Sequence, residues 1–125
     1  MKGTIILFGK PACQLCKLSI EILSNEKIAN NYEVYKVNIL SFLRDSKVVE
    51  ILGMNKFYEL VTAIGEKLGN EYVLLFKYDE ETKQMAYVPL KKYLVVGQMS
   101  YSSIDFNQLL EEIDSSPYNV LLTDK

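Results

Sequence analysis

A chain of 125 residues, 49% of them hydrophobic, is long enough to bury one real core without a disulfide framework, so a single domain over residues 1–125 is expected. Sixteen acidic against fourteen basic side chains leave a formal charge of -2, and no basic run exceeds Lys91-Lys92, which excludes the charge footprint of a nucleic-acid binder. The sequence contains no histidine, which also excludes hydrolases with an imidazole base and the commonest catalytic zinc shells.

The first apolar run, Thr4 to Phe8, is β-favouring and stops at Gly9, Lys10 and Pro11. It is too short for a membrane span and reads as a first strand rather than a signal peptide, which points to a reducing cytosol. After Cys13 the apolar positions Leu15, Leu18, Ile22 and Leu23 fall at helical spacing. The stretch "FGKPACQLC", with both cysteines of the chain, therefore sits where a strand hands over to a helix.

Residues 30–39, "NNYEVYKVNI", read as turn and then second strand, and Ser41 is placed to cap a helix running to about Ile51. Past Gly53, the positions Phe57, Leu60, Val61, Ile64 and Leu68 predict a further helix ending at Gly69-Asn70. Residues 71–90 predict a β-hairpin around Asp79-Glu80-Glu81-Thr82. A weakly patterned stretch from Lys91 to Tyr101 follows. Ser103 is then placed to cap a helix with the stripe Phe106, Leu109, Leu110 and Ile113, ending near Ser115-Ser116-Pro117. In the tail, Val120, Leu121 and Leu122 either dock on the body or meet a partner, such as a second copy in a homodimer; docking on the body is the expectation. The order is βα-β-αα-ββ-α, an α/β fold with a small mixed sheet flanked by helices.

In a reducing compartment, paired cysteines are more often catalytic, redox-sensing or metal-binding than structural. At a helix start the Cys13 sulfur faces unpaired backbone N–H groups and the positive end of the helix dipole, both of which favour thiolate. Cys16 lies one turn later on the same face, about 5 Å away between α-carbons, within disulfide reach. Together they permit exchange: Cys13 attacks a disulfide, a mixed disulfide forms, and Cys16 attacks Cys13 to release the product. Lys10, three residues before Cys13, can support the thiolate, and Pro11 stiffens the approach. The rival readings are an iron-sulfur or zinc carrier with Cys13 at a subunit interface, and inert thiols. The redox reading needs no organic cofactor and no metal, because the dithiol is the redox centre.

The order of elements resembles a thioredoxin-like domain, and "FGKPACQLC" is similar to the glutaredoxin pattern with a lysine three residues before the first cysteine. The segments "IILFGKPACQLC", "VNILSF" and "FKYDEETKQMAYV" together resemble the second type of glutaredoxin encoded by poxviruses. The resemblance implies a thioredoxin fold and a thiol-disulfide oxidoreductase of a viral disulfide-forming pathway in the host cytoplasm, needed for virion assembly and compatible with packaging in the virion. Its implied partners are an upstream sulfhydryl oxidase system and downstream viral protein thiols. By matching positions, Cys13 is the attacking cysteine and Cys16 the resolving one. Cellular glutaredoxins place Pro-Tyr between the cysteines, a cis Val-Pro before the third strand and Gly-Gly before the last helix. Here Gln14-Leu15 stand between the cysteines, the hairpin strand follows Asn70-Glu71 so that no proline is available there, and Ser102-Ser103 lie near the Gly-Gly position. Those elements shape the glutathione groove, so protein thiols are expected as partners in preference to glutathione. A rival register would make Val88-Pro89 the cis pair and Tyr93 to Val96 the next strand; the viral resemblance argues against it.

Overall fold

The computed structural model describes residues 3–9, 13–38, 73–82, 84–118 and 120–121, and elements are numbered within those residues. Strand β1, Gly3–Gly9, leads into helix α1, Gln14–Leu23. A one-turn helix α2, Glu26–Ala29, then turns the chain into strand β2, Tyr32–Asn38. Strands β3, Leu74–Asp79, and β4, Gln84–Val88, form the expected hairpin, and Asp79 ties its turn through the Glu81 amide at 3.1 Å and the Thr82 hydroxyl at 2.8 Å. Helix α3, Lys91–Met99, a 3-10 turn at Tyr101–Ser103, helix α4, Phe106–Ser115, and strand β5, Val120–Leu121, complete the described chain.

The five strands form one sheet in the order β2-β1-β3-β4-β5. The β1 and β2 strands run parallel from Gly3 opposite Tyr32 to Gly9 opposite Asn38, and β3 lies antiparallel on the other side of β1. A strand that is central and covered on both faces should be apolar throughout, and Ile5, Ile6, Leu7 and Phe8 are all buried. Full burial of such side chains contributes roughly 1.5–3 kcal/mol each. Ile5 and Leu7 point into the larger described core with Leu75 and Val88. Ile22 and Leu23 of α1, Tyr93 and Leu94 of α3, and Leu109 and Ile113 of α4 pack on them. On the opposite face, Phe8 meets Phe76 edge-to-face at 6.0 Å between ring centres.

The mixed sheet flanked by helices is the expected fold class, and the expected order needs three additions. Helix α2 is too short to show a period, although Asn25 caps it through the Lys27 amide at 3.0 Å. The stretch that looked weakly patterned is helix α3, which contains Val95, Val96 and Gly97 and has no side-chain cap. Packing overrides this poor propensity: Tyr93 and Leu94 are buried, and the bare Gly97 lets the helix approach Leu18 of α1 and Ile104 closely. With Tyr93 to Val96 in a helix, the register built on a Val88-Pro89 cis pair has no following strand. Helix α4 is capped by Asp105, whose carboxylate accepts the Gln108 amide at 3.0 Å, and not by Ser103, which belongs to the 3-10 turn. The tail does dock, with Val120 and Leu121 pairing antiparallel to Met85 and Gln84. The expected helices after Ser41 and over Phe57 to Leu68 lie outside the described residues, as does Leu122.

Candidate active site

Cys13 is the N-cap of α1, with an extended backbone (φ -104°, ψ 123°), and its carbonyl oxygen accepts the Lys17 amide at 3.1 Å. The Cys13 sulfur accepts the Cys16 backbone N–H at 3.3 Å, so it occupies the place of a capping oxygen. A helix start leaves such amides without intrahelical partners, and no acidic side chain lies in the first turn of α1 to compete for them. Negative charge on this sulfur is stabilised by that hydrogen bond and by the helix dipole together.

The two cysteines differ in access. Cys13 is partly exposed, whereas Cys16 is 6% exposed and lies on the buried face of α1 with Ser19, Ile22 and Leu23. The exposed sulfur is suited to receive a substrate and the covered one to act only after Cys13 has been engaged. Ser19 shares that face because its hydroxyl donates to the Leu15 carbonyl at 2.7 Å.

Two residues without an expected site role join these cysteines. Gly9, at the end of β1, lies so close to α1 that a β-carbon there would stand 3.0 Å from the Cys16 sulfur. A glycine ending an apolar strand just ahead of the cysteines was the available signal. A cavity of about 210 Å³ opens beside Cys16, between α1 and β2, with Leu7, Gly9, Ile20, Val37 and Val73 in its wall and Lys36 and Asn38 from β2 also lining it. Lys36 had no sequence signal, because only the parallel register brings it to this end of the sheet. Lys10 and Pro11 lie outside the described residues. Among the described residues, no group of three or more His, Cys, Asp or Glu side chains is placed to hold a metal ion, and no helix is long and apolar enough to cross a membrane.

A strand, a helix-capping cysteine and a second cysteine one turn on are parts that thiol exchange can use, and comparison with known proteins gives the family. The family described as Glutaredoxin-like domain (DUF836) matches residues 4–114. The chain belongs to the glutaredoxin-like family. Glutaredoxin-2 of cowpox virus (strain Brighton Red) is 34% identical over 120 residues, covering 96% of this chain and 95% of that protein. Glutaredoxin-2 of monkeypox virus and of variola virus match with the same identity and coverage. Among solved structures, G4, the poxviral disulfide oxidoreductase essential for cytoplasmic disulfide bond formation, superposes with a TM-score of 0.59 at 34% identity. That match covers 96% of this chain and 98% of G4. This glutaredoxin-like chain is accordingly a thiol-disulfide oxidoreductase of poxviral type, with the thioredoxin-like fold of G4.

Proposed function

We propose that this glutaredoxin-like chain works as a single domain that relays disulfides between proteins, with Cys13 as nucleophile and Cys16 as resolver. The observation that carries the assignment is the Cys13 sulfur at the N-cap of α1, holding the Cys16 amide at 3.3 Å. In the reducing direction the Cys13 thiolate attacks a substrate disulfide, one substrate sulfur leaves as thiolate, and a mixed disulfide remains. Cys16 then attacks the Cys13 sulfur, releasing the second substrate thiolate and leaving the Cys13–Cys16 disulfide. Run backwards, the same steps oxidise a dithiol partner, which is the direction a disulfide-forming relay uses.

The role given for G4, cytoplasmic disulfide bond formation, supports the host cytoplasm as the workplace and viral protein thiols as downstream partners. An upstream sulfhydryl oxidase supplies the oxidising equivalents, because a relay in a reducing compartment holds its substrates oxidised only while it is recharged. Lys10, three residues before Cys13, and Pro11 support the thiolate and the turn that presents it.

The test is an equilibrium titration of the purified protein in graded reduced and oxidised glutathione, quenched by alkylation and read by intact mass. A reversible two-electron transition at roughly -120 to -270 mV is expected for an exchange centre. Failure to close the internal disulfide in any buffer, with metal retained on the cysteines, overturns the relay in favour of a metal carrier. In infected cells, Cys16→Ser should accumulate mixed disulfides that depend on Cys13 and thereby identify the partners.

A further inference from the structure

Cys16 is almost fully covered by protein, yet closure of the disulfide requires it to lose a proton and carry negative charge at the moment of attack. A buried thiolate is costly unless something stabilises it, and a buried proton needs a way out. Both needs meet at the cavity of about 210 Å³ beside the cysteine. That volume has room for several water molecules at about 30 Å³ each, with Lys36 and Asn38 as polar groups at its wall.

Lys36 stands directly across the ladder from Leu7, and facing residues in a ladder share one side of the sheet. Leu7 packs into the core under α1, so Lys36 rises from the α1 side of β2, and its side chain is exposed while lining the cavity that Cys16 also lines. Among the described residues, the cavity beside Cys16 is lined by Leu7 and Gly9 of β1, Ile20 of α1, Lys36, Val37 and Asn38 of β2, and Val73, and the Cys13 sulfur accepts the Cys16 amide. Among the described residues of this set, the cysteines and Lys36 are the ones that ionise. The neighbouring Lys17 lies on the exposed part of α1.

We infer that Lys36 is the electrostatic partner of the resolving cysteine, stabilising the Cys16 thiolate across a water-accessible cavity through which its proton leaves. The inference deepens the proposed exchange function and rests on it. In the step concerned, the Cys16 S–H proton passes to water in the cavity and on to solvent. The Cys16–Cys13 S–S bond forms, the bond from Cys13 to the substrate sulfur breaks, and that sulfur departs with the electron pair. Lys36 takes no part in the bond changes and acts through its charge.

The reduced protein mixed with 5,5′-dithiobis(2-nitrobenzoate) separates the two steps, since attack by Cys13 releases one nitrothiobenzoate and closure by Cys16 releases the second. Lys36→Met should leave the first release unchanged, slow the second about three- to tenfold and move its pH midpoint upward. Lys36→Arg, which keeps the charge, should close at nearly the wild-type rate. Added salt should narrow the gap between wild type and Lys36→Met, because an exposed ammonium is screened. Equal second-step rates and midpoints in wild type and Lys36→Met overturn the inference, as does equal slowing by Lys36→Arg and Lys36→Met. Absence of any first release, in wild type as in variants, defeats the exchange function itself and this inference with it.

Discussion

At the Gly3 end of β1, polar side chains are tied to one another; at the Gly9 end, a partly exposed sulfur accepts a backbone amide. The first end gathers Tyr32, Lys77, Asp114 and Tyr118. The Tyr32 hydroxyl donates to the Asp114 carboxylate, and the Lys77 ammonium donates to the Asp114 carbonyl oxygen at 3.0 Å. Lys77 is 5% exposed, with its ammonium 4.6 Å from the centre of the Tyr118 ring. A lysine near the last turn of α4 also meets the negative end of that helix. At the second end the cap of α1 is Cys13, the proposed nucleophile. One sheet thus carries a set of side chains that bond to each other and, at its other end, the proposed exchange site. Substitutions at the first end should register in stability, and those at the second in exchange.

The largest effect tests the reactive end. Cys13→Ser should abolish exchange with any disulfide, read as loss of both nitrothiobenzoate releases. Serine is a good N-cap, so the thermal midpoint should stay close to wild type. A fall of many degrees would mean that Cys13 is structural and would erase the contrast between the ends.

Gly9→Ala should touch both properties. Its new methyl group would meet the Cys16 sulfur at 3.0 Å and the Cys16 β-carbon at 3.3 Å, so the Cys16 side chain must give by a few tenths of an ångström. Such overpacking costs about 1–3 kcal/mol. Because the displaced atom is the proposed resolving sulfur, closure should slow while the first attack by Cys13 proceeds. Chemical denaturation together with the two-step release assay checks both.

Tyr32→Phe tests the opposite end, where exchange should be unaffected and stability should fall by about 1–2 kcal/mol, since the Asp114 hydrogen bond is lost. The Tyr32 hydroxyl is held far above its usual 10.0 by burial first, then by the Asp114 hydrogen bond and charge. A raised folded-state value means that the folded protein keeps this proton where the unfolded chain gives it up. The contribution is therefore complete below pH 10 and declines as pH rises toward the folded value. Lys77 is shifted down, chiefly by burial, so its slope has the opposite sign, with stability rising as pH passes from its folded value toward 10.5. Comparing wild type with Tyr32→Phe from pH 9 upward by denaturant unfolding isolates the tyrosine term, because Lys77 is common to both proteins.

How much of this was legible follows the kind of interaction involved. The spacing of Cys13 and Cys16 and the strand-to-helix change around them are local, so sequence placed the cysteines at the start of α1. The hairpin was equally plain, because Asp79 and Thr82 carry their own turn chemistry. Helix α3 was hidden because Val95, Val96 and Gly97 disfavour a helix that tertiary contacts then impose. Lys36 and Lys77 were indistinguishable from surface lysines, since register sets Lys36 at the cavity that Cys16 lines and Lys77 under Tyr118. A pattern reveals what neighbours in sequence do to each other; it is silent about which strand residue meets which helix.

The smallest expected effect separates exposure from position. The Lys92 ammonium of α3 meets the Glu112 carboxylate of α4 at 2.7 Å, with the two side chains 55% and 35% exposed. The pair belongs to neither end of β1, and it is the exposed counterpart of the buried Lys77 contact. An exposed ion pair is weakened by water and salt, so a double-mutant cycle over Lys92→Ala and Glu112→Ala should give a coupling below about 1 kcal/mol. Glu112 is held below its ordinary carboxylate value, mainly by the Lys92 hydrogen bond. For a carboxylate with a lowered folded-state value, the stabilisation is present above 4.5 and lost as pH falls through the folded value, so the coupling should vanish in acid. Denaturant unfolding of the four proteins at pH 7 and again below pH 3 reads the sign directly. A coupling that persists in acid, or that rivals the effect of Tyr32→Phe, would show that burial is not what distinguishes the Gly3 end of β1, because an open pair would then hold the fold equally well.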